Sequence, residues 1–235
     1  VQVTVKYDAV HSVSLLSVQY SGSSEENQTF VLKCDKKNRT KFLVLLTFLP
    51  EEVTILLQLE REGAGEVDCA HTCCFTGHRP DKLPWGGDES DPRCAALKER
   101  LARALERAYQ AGYRHFICGM ARGSDLYFCQ AALELRERCP GVTVEGAVPC
   151  QGQSNSWPSA ERARYDSLLA QCDYETMVQH RYDRGCMMRR NRYMVDRSSR
   201  IIAVYDGVPK GGTAQTLAYA LRRGLTVDIL GVEEA

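Results

Sequence analysis

Three short apolar runs in this chain end in glycine-bearing turns that carry most of its polar chemistry. Residues 73–76 read Cys-Cys-Phe-Thr and break into Gly77, His78, Arg79 and Pro80. Residues 116–118 read Phe-Ile-Cys and break into Gly119, Met120, Ala121, Arg122, Gly123, Ser124 and Asp125. Residues 201–205 read Ile-Ile-Ala-Val-Tyr and lead through Asp206 to Lys210, Gly211, Gly212 and Thr213. Glycine lets a backbone approach a ligand closely, and a helix that starts there offers unpaired N–H groups and a partial positive charge. Each turn is therefore a candidate contact for a phosphate or a ribose; the alternative is an ordinary capped strand–helix turn. Ser124 or Asp125 is expected to cap the helix after the second turn. A branched side chain at Gly123 is expected to fill the phosphate position. The third turn lacks the Gly-Lys-Ser/Thr ending of a P-loop, which argues against triphosphate hydrolysis of that type.

Other residues could add to such a site. Seven arginines and two acids lie between Arg181 and Arg200. At helical spacing they cannot all face one way, so some face solvent or a partner. Arg190 is a candidate anion contact, and Asn191 could read a sugar or base edge. Trp157 sits in a polar loop and could stack on a nucleobase, although such a residue more often packs under its own loop. His78, Asp125 and Asp206 are the titratable candidates, but no spacing pairs them, so no catalytic residue is assigned. His71, Cys73, Cys74 and His78 invite a zinc reading. Adjacent cysteines on a strand point to opposite faces and there is no Cys-x-x-Cys pair, so neither metal nor cofactor is expected.

The elements that must position these residues follow from periodicity. From residue 70 onward, strands alternate with helices, which predicts α/β: a Rossmann-like, mostly parallel sheet with helices on both faces. Helices are expected over 92–111, 124–139, 160–171, 186–198 and 213–223. Strands are expected in the apolar run that starts at Cys73 and ends at Gly77, and near 114–118, 142–148, 174–179, 200–205 and 225–230. Asp91 and Pro92 open the first helix as N-cap and first-turn proline, and Gly112 closes it. Residues 1–62 differ. Apolar residues alternate over 1–7, a second strand is expected over 13–20, and further apolar runs lie at 30–32 and at 41–48, the latter a buried strand or a short helix by periodicity. Pro50 could start a helix over the next run, but the β-branched Val53, Thr54 and Ile55 argue for a strand. They read as a small β-rich N-terminal module, joined to a domain over 70–231 through a linker at 61–66.

Composition limits the partners. The 235-residue chain has 30 basic and 30 acidic residues, so no global field draws it to nucleic acid or membrane. No apolar run reaches the eighteen residues of a membrane span. The sequence as given opens on no basic-plus-apolar leader. Eleven scattered cysteines, mostly within apolar runs, fit free buried thiols in a cytoplasmic protein better than a disulfide framework.

Taken in order, Thr76-Gly-His-Arg-Pro80, the 119–125 turn, Asn155-Ser-Trp157, and Arg190-Asn-Arg192 before Asp196-Arg-Ser-Ser199 resemble the YpsA-like branch of the SLOG superfamily over about residues 70–231. The resemblance implies a Rossmann-like fold that commonly forms homodimers. It also implies a ligand that is a nucleotide, a nucleotide-derived signal such as an ADP-ribose derivative, or single-stranded DNA. Gly77, His78, Arg79, Gly119, Gly123, Ser124 and Asp125 match the family's ligand-facing loops, and Gly211, Gly212 and Thr213 its phosphate turn. The superfamily's phosphoribohydrolases follow their glycines with a catalytic glutamate. Here that helix runs Thr216-Leu-Ala-Tyr-Ala220 with no acid, which counts against nucleoside-monophosphate hydrolysis. The favoured expectation is binding of a nucleotide-derived small molecule, as a sensor or a sequestering protein in signalling or phage defence. Hydrolysis of an N-glycosidic bond and single-stranded DNA binding are the alternatives.

Overall fold

The structure is a computed structural model that describes residues 68–232 and, nearer the N-terminus, the backbone of three strands. The chain separates into two compact units, Val1–Gly65 and Glu66–Ala235. In the first, β1 (Gln28–Leu32), β2 (Phe42–Phe48) and β3 (Val53–Gln58) form an antiparallel sheet in the order β1-β2-β3. The stretch at 42–48, open to either reading from periodicity, is a strand, as is 53–58. The strands expected over 1–7 and 13–20 lie outside the described residues.

The second unit holds six parallel strands. They are β4 (Thr72–Gly77), β5 (His115–Cys118), β6 (Thr143–Val148), β7 (Tyr174–Met177), β8 (Arg200–Tyr205) and β9 (Thr226–Gly231). Their order is β7-β6-β5-β4-β8-β9. The chain winds outward from β4 through β5, β6 and β7, then crosses to β8 and β9 on the other side. The direction of winding therefore reverses between β4 and β8. In an open parallel sheet that reversal leaves a crevice at the carboxyl ends of the two strands, because their following loops diverge to opposite faces.

The sequence explains why β4 is central. Its first five residues, Thr-Cys-Cys-Phe-Thr, are all buried, as expected of a strand covered on both faces. Alternate residues enter different cores. Cys73 and Phe75 join the cluster beneath α1 (Pro92–Gln110), α2 (Ser124–Arg138) and α3 (Ser159–Gln171). Cys74 joins the cluster beneath α4 (Cys186–Asp196) and α5 (Gly212–Arg222). The first cluster includes a stacked Phe75–Phe128 pair with ring centroids 4.5 Å apart, a geometry worth about 0.5–1.5 kcal/mol beyond burial. In α1 the stripe Leu97, Leu101, Ala104, Leu105 and Ala108 is wholly buried, and the Asp91 carboxylate accepts the Arg93 N–H at 2.8 Å. That helix ends in a Schellman motif: Tyr113 N–H donates to the Ala108 carbonyl and Gly112 N–H to that of Tyr109, with Gly112 at φ +98°. α5 ends in the same way through Gly224 and Leu225. All ten described cysteines are free thiols. Among the described residues, no helix is long and apolar enough to cross a membrane.

Candidate functional site

A chamber of about 280 Å³ lies at the reversal point. Its walls come from the ends of β4 and β5, the first turns of α2 and α5, and one side of α4. Gly77, His78, Arg79, Asp125, Arg190, Asn191, Gly212 and Thr213 all line it. Residues separated by up to 136 positions are thus brought to one sheet edge by topology alone.

His78 is the hub between the two diverging loops. It is 1% exposed. Thr213 Oγ1 donates to the Gly77 carbonyl at 3.2 Å and lies 3.3 Å from His78 Nδ1. His78 Nε2 lies 3.1 Å from the Asp206 backbone nitrogen and 3.0 Å from Asp206 Oδ1, so the ring is held between Thr213 of one loop and Asp206 of the other. Desolvation pushes the Asp206 carboxyl up. The Val208 N–H, His78 and Lys82 outweigh it and hold the carboxyl below its usual value.

Arg190 and Asp125 dominate the electrostatics. Each is 4% exposed. The Arg190 Nε donates to Asn191 Oδ1 at 2.9 Å, but its Nη1 is buried with no hydrogen-bond partner. A buried guanidinium nitrogen without an acceptor is costly, and burial lowers the Arg190 pKa. Gly119 makes room for it: a Cβ there would overlap Arg190 Nη1 and come within 2.7 Å of Asp125 Oδ1. Burial raises the Asp125 carboxyl to about 6, against the lowering influence of Arg190, the Ala121 N–H and Arg79. One buried cation and one half-committed acid therefore face a chamber that an anion would complete.

The remaining predicted residues are arranged differently from the sequence expectation. Ser124 and Asp125 do not cap α2; Gly123 occupies the N-cap with no side-chain cap bond. Ser124 is fully buried, and its hydroxyl and N–H both donate to the His78 carbonyl, at 2.7 and 3.2 Å. It fastens the β4 turn to α2. Gly123 has φ +83°, and a Cβ there would stand 2.9 Å from the His78 carbonyl oxygen and from Pro80 Cδ. A branched residue would therefore displace the β4 turn rather than fill a phosphate position. Met120 is fully buried at φ +53°, the one positive value outside glycine among the described residues. Gly119, Met120, Gly123 and Ser124 thus stand behind the wall. Asp206 acts through His78, and Gly211 lies under the Lys82 ammonium. Asn191 spends its amide on Thr216 Oγ1, 2.7 Å away, bridging α4 to α5.

A second chamber, of about 380 Å³, holds Arg122 and Trp157 and shares Arg79, Ala121 and Met187 with the first. Arg122 is ion-paired with Glu161, and Trp157 meets Tyr165 edge-on with centroids 5.2 Å apart. Sequence reasoning missed Lys82, Gln153 and Tyr182. Lys82, three residues past Arg79, could have been found as a cation beside the first turn. Gln153 and Tyr182 carried no motif signal. The arginines of 181–200 are scattered in their engagements. Arg189 pairs with Asp183, Arg200 pairs with Asp228, and Arg192 and Arg197 lie over Tyr219 and Tyr193.

With this geometry in place, comparison with known proteins is informative. The YspA SLOG family matches residues 73–234, which is more than half of the chain. The chain belongs to that family. UPF0398 protein YpsA of Bacillus subtilis is 27% identical over 156 residues, spanning 63% of this chain and 83% of that protein. The SPbeta prophage-derived protein YoqJ of the same organism is 29% identical over 143 residues, covering 55% and 83%. Among solved structures, DNA processing protein A of Streptococcus pneumoniae superposes with a TM-score of 0.47 at 16% identity, over 70% of this chain and 51% of that one. The Helicobacter pylori protein, described for its single-stranded DNA binding mode, gives 0.48 at 15%, over 86% and 80%. These structural likenesses are too distant to speak to ligand or role.

Proposed function

We propose that this SLOG-family chain binds a nucleotide or nucleotide-derived anion of the ADP-ribose kind at the carboxyl edge of its sheet, as a sensor or sequestering protein. The observation that carries the reading is Arg190: buried, unpartnered at Nη1, and lining a chamber at the point where strand order reverses. A phosphate oxygen satisfies that nitrogen, and the first turn of α5 at Gly212 and Thr213 adds backbone donors. A ligand at a hundred times its Kd stabilises the fold by about 2.7 kcal/mol, which raises the melting temperature by roughly 5–10 °C for a domain of this size. Thermal shift with AMP, ADP, ADP-ribose and pyrophosphate is the first test. Arg190→Met should fold and lose the shift; a shift unchanged in that variant would sink the proposal.

Asp125 supports a second reading. An acid titrating near 6 beside a phosphate position suits proton donation to a leaving base. Release of free base from a bound nucleotide, abolished in Asp125→Asn, would favour hydrolysis of the N-glycosidic bond over binding alone.

A further inference from the structure

The two chambers share Arg79, Ala121 and Met187 in their walls, and each is lined by a residue with one buried polar atom left without a partner. In the first it is the donor Arg190 Nη1. In the second it is an acceptor, Gln153 Oε1. The Gln153 amide is oriented by its own bond, since Nε2 donates to the Met120 carbonyl and so leaves Oε1 as the free end. Arg79 lines both chambers and makes no ion pair among the described residues. Trp157 and Tyr182 line the second chamber, and Tyr182 is 69% exposed. Small-molecule sites commonly measure about 300–1,000 Å³. The first chamber alone falls just short of that range, whereas the pair lies inside it.

From this we infer that the ligand is bipartite: a nucleoside diphosphate whose phosphates occupy the Arg190 chamber and whose base, bearing an exocyclic amine, occupies the Gln153–Trp157–Tyr182 chamber. The polarity of the two unsatisfied atoms favours that orientation, because an anion satisfies only the first and an N–H donor only the second. Arg79, at the junction, then faces the diphosphate link. Tyr182, exposed at the wall of the second chamber, offers its ring to the base. This inference rests on the anion site proposed above and adds to it a ligand length, a direction and a base class.

Calorimetry on the full chain separates the two. Pyrophosphate, ADP and IDP are titrated into the native chain, Arg190→Met and Tyr182→Ala. The expected result is ADP at least tenfold tighter than pyrophosphate, and IDP weaker than ADP by a similar factor, because it carries oxygen where ADP carries the amine. Tyr182→Ala should weaken ADP about tenfold, the scale of one base stacked on an aromatic ring, and leave pyrophosphate unchanged. Pyrophosphate bound through Arg190 but no tighter binding of ADP would overturn the second chamber's role and leave the anion site standing. Equal ADP and IDP affinities would remove the amine assignment to Gln153. Loss of all three ligands in the native chain would overturn the anion site itself.

Discussion

Two buried carboxyl groups, one bonded to helix α4 and one within the electrostatic reach of its Arg190, are treated in opposite ways. Near the amino edge, Glu145 Oε2 meets His115 Nε2 at 2.9 Å, and Oε1 accepts the Tyr193 hydroxyl at 2.7 Å. His115 Nδ1 is in turn 2.8 Å from Thr143 Oγ1. Desolvation pushes Glu145 up, but His115, Tyr193 and Thr176 outweigh it and hold the carboxyl below its usual range. At the carboxyl edge, one turn earlier on the same helix, Arg190 faces Asp125 with a guanidinium nitrogen unpartnered, and burial keeps that acid near 6. The first cluster is complete without a ligand and pins α4 to β5 and β6. The second is incomplete. Buried polar groups that serve only the fold are satisfied, so the unpartnered Arg190 nitrogen is the observation on which the proposed anion site rests.

The comparison can be broken most severely at Gly123, which supports the open cluster from behind. Gly123→Val forces a β-branched residue into positive φ and against the His78 carbonyl. Chemical denaturation should show a loss of roughly 3 kcal/mol or more. A variant that unfolds at the native midpoint would show that the turn is not fixed as described.

Glu145→Ala opens the closed cluster. It strands His115 and Tyr193 and should cost about 2–4 kcal/mol. The linkage is of the depressed-acid kind: the stability Glu145 contributes is present above its unfolded value of 4.5 and is lost as pH falls through the lower folded value. The variant's melting temperature should therefore lose the acid-side dependence below about pH 4.5 that the parent shows.

Asp125→Asn should act with the opposite sign. A raised carboxyl favours the fold when protonated, fully so below 3.8, and that contribution is lost as pH rises toward about 6. At pH 8 the amide variant should be more stable by about 1–3 kcal/mol, and its stability should be flat between pH 4 and 6. It should also bind ADP-ribose more tightly at pH 8, since Arg190 then has no competing negative charge. Weaker binding together with lower stability would place Asp125 with Glu145 as a structural acid.

The smallest effect on stability is expected for Arg190→Met. An apolar side chain of similar reach replaces a buried charge that lacks a full set of acceptors, so below about pH 6, where Asp125 is protonated and leaves no stranded charge, the unliganded fold should change by less than about 1 kcal/mol. Phosphate-dependent stabilisation should disappear all the same. A large loss of stability would mean that Arg190 holds the fold together rather than waits for an anion.

Much of this was readable from residue types. The α/β alternation from residue 70 follows from apolar runs and caps, and the expected strand 200–205 coincides with β8. Asp91, Pro92 and Gly112 end α1 where their chemistry places them, because capping is local. The three glycine turns were visible as turns for the same reason. Their division of labour was not. Ser124 looks like a cap or a phosphate ligand in sequence. Only the packing of β4 against α2 shows its hydroxyl spent on the His78 carbonyl, 46 residues away. Arg190 is one of seven arginines in a row of basic residues, and nothing local separates it from Arg189 or Arg192. Its burial comes from the reversal of strand order between β4 and β8 and from the missing side chain of Gly119. Spacing along a chain records which groups are near neighbours and which way a helix turns. Whether a charge ends up paired, solvated or alone in a cavity depends on partners more than a hundred residues away, so tertiary structure decides it.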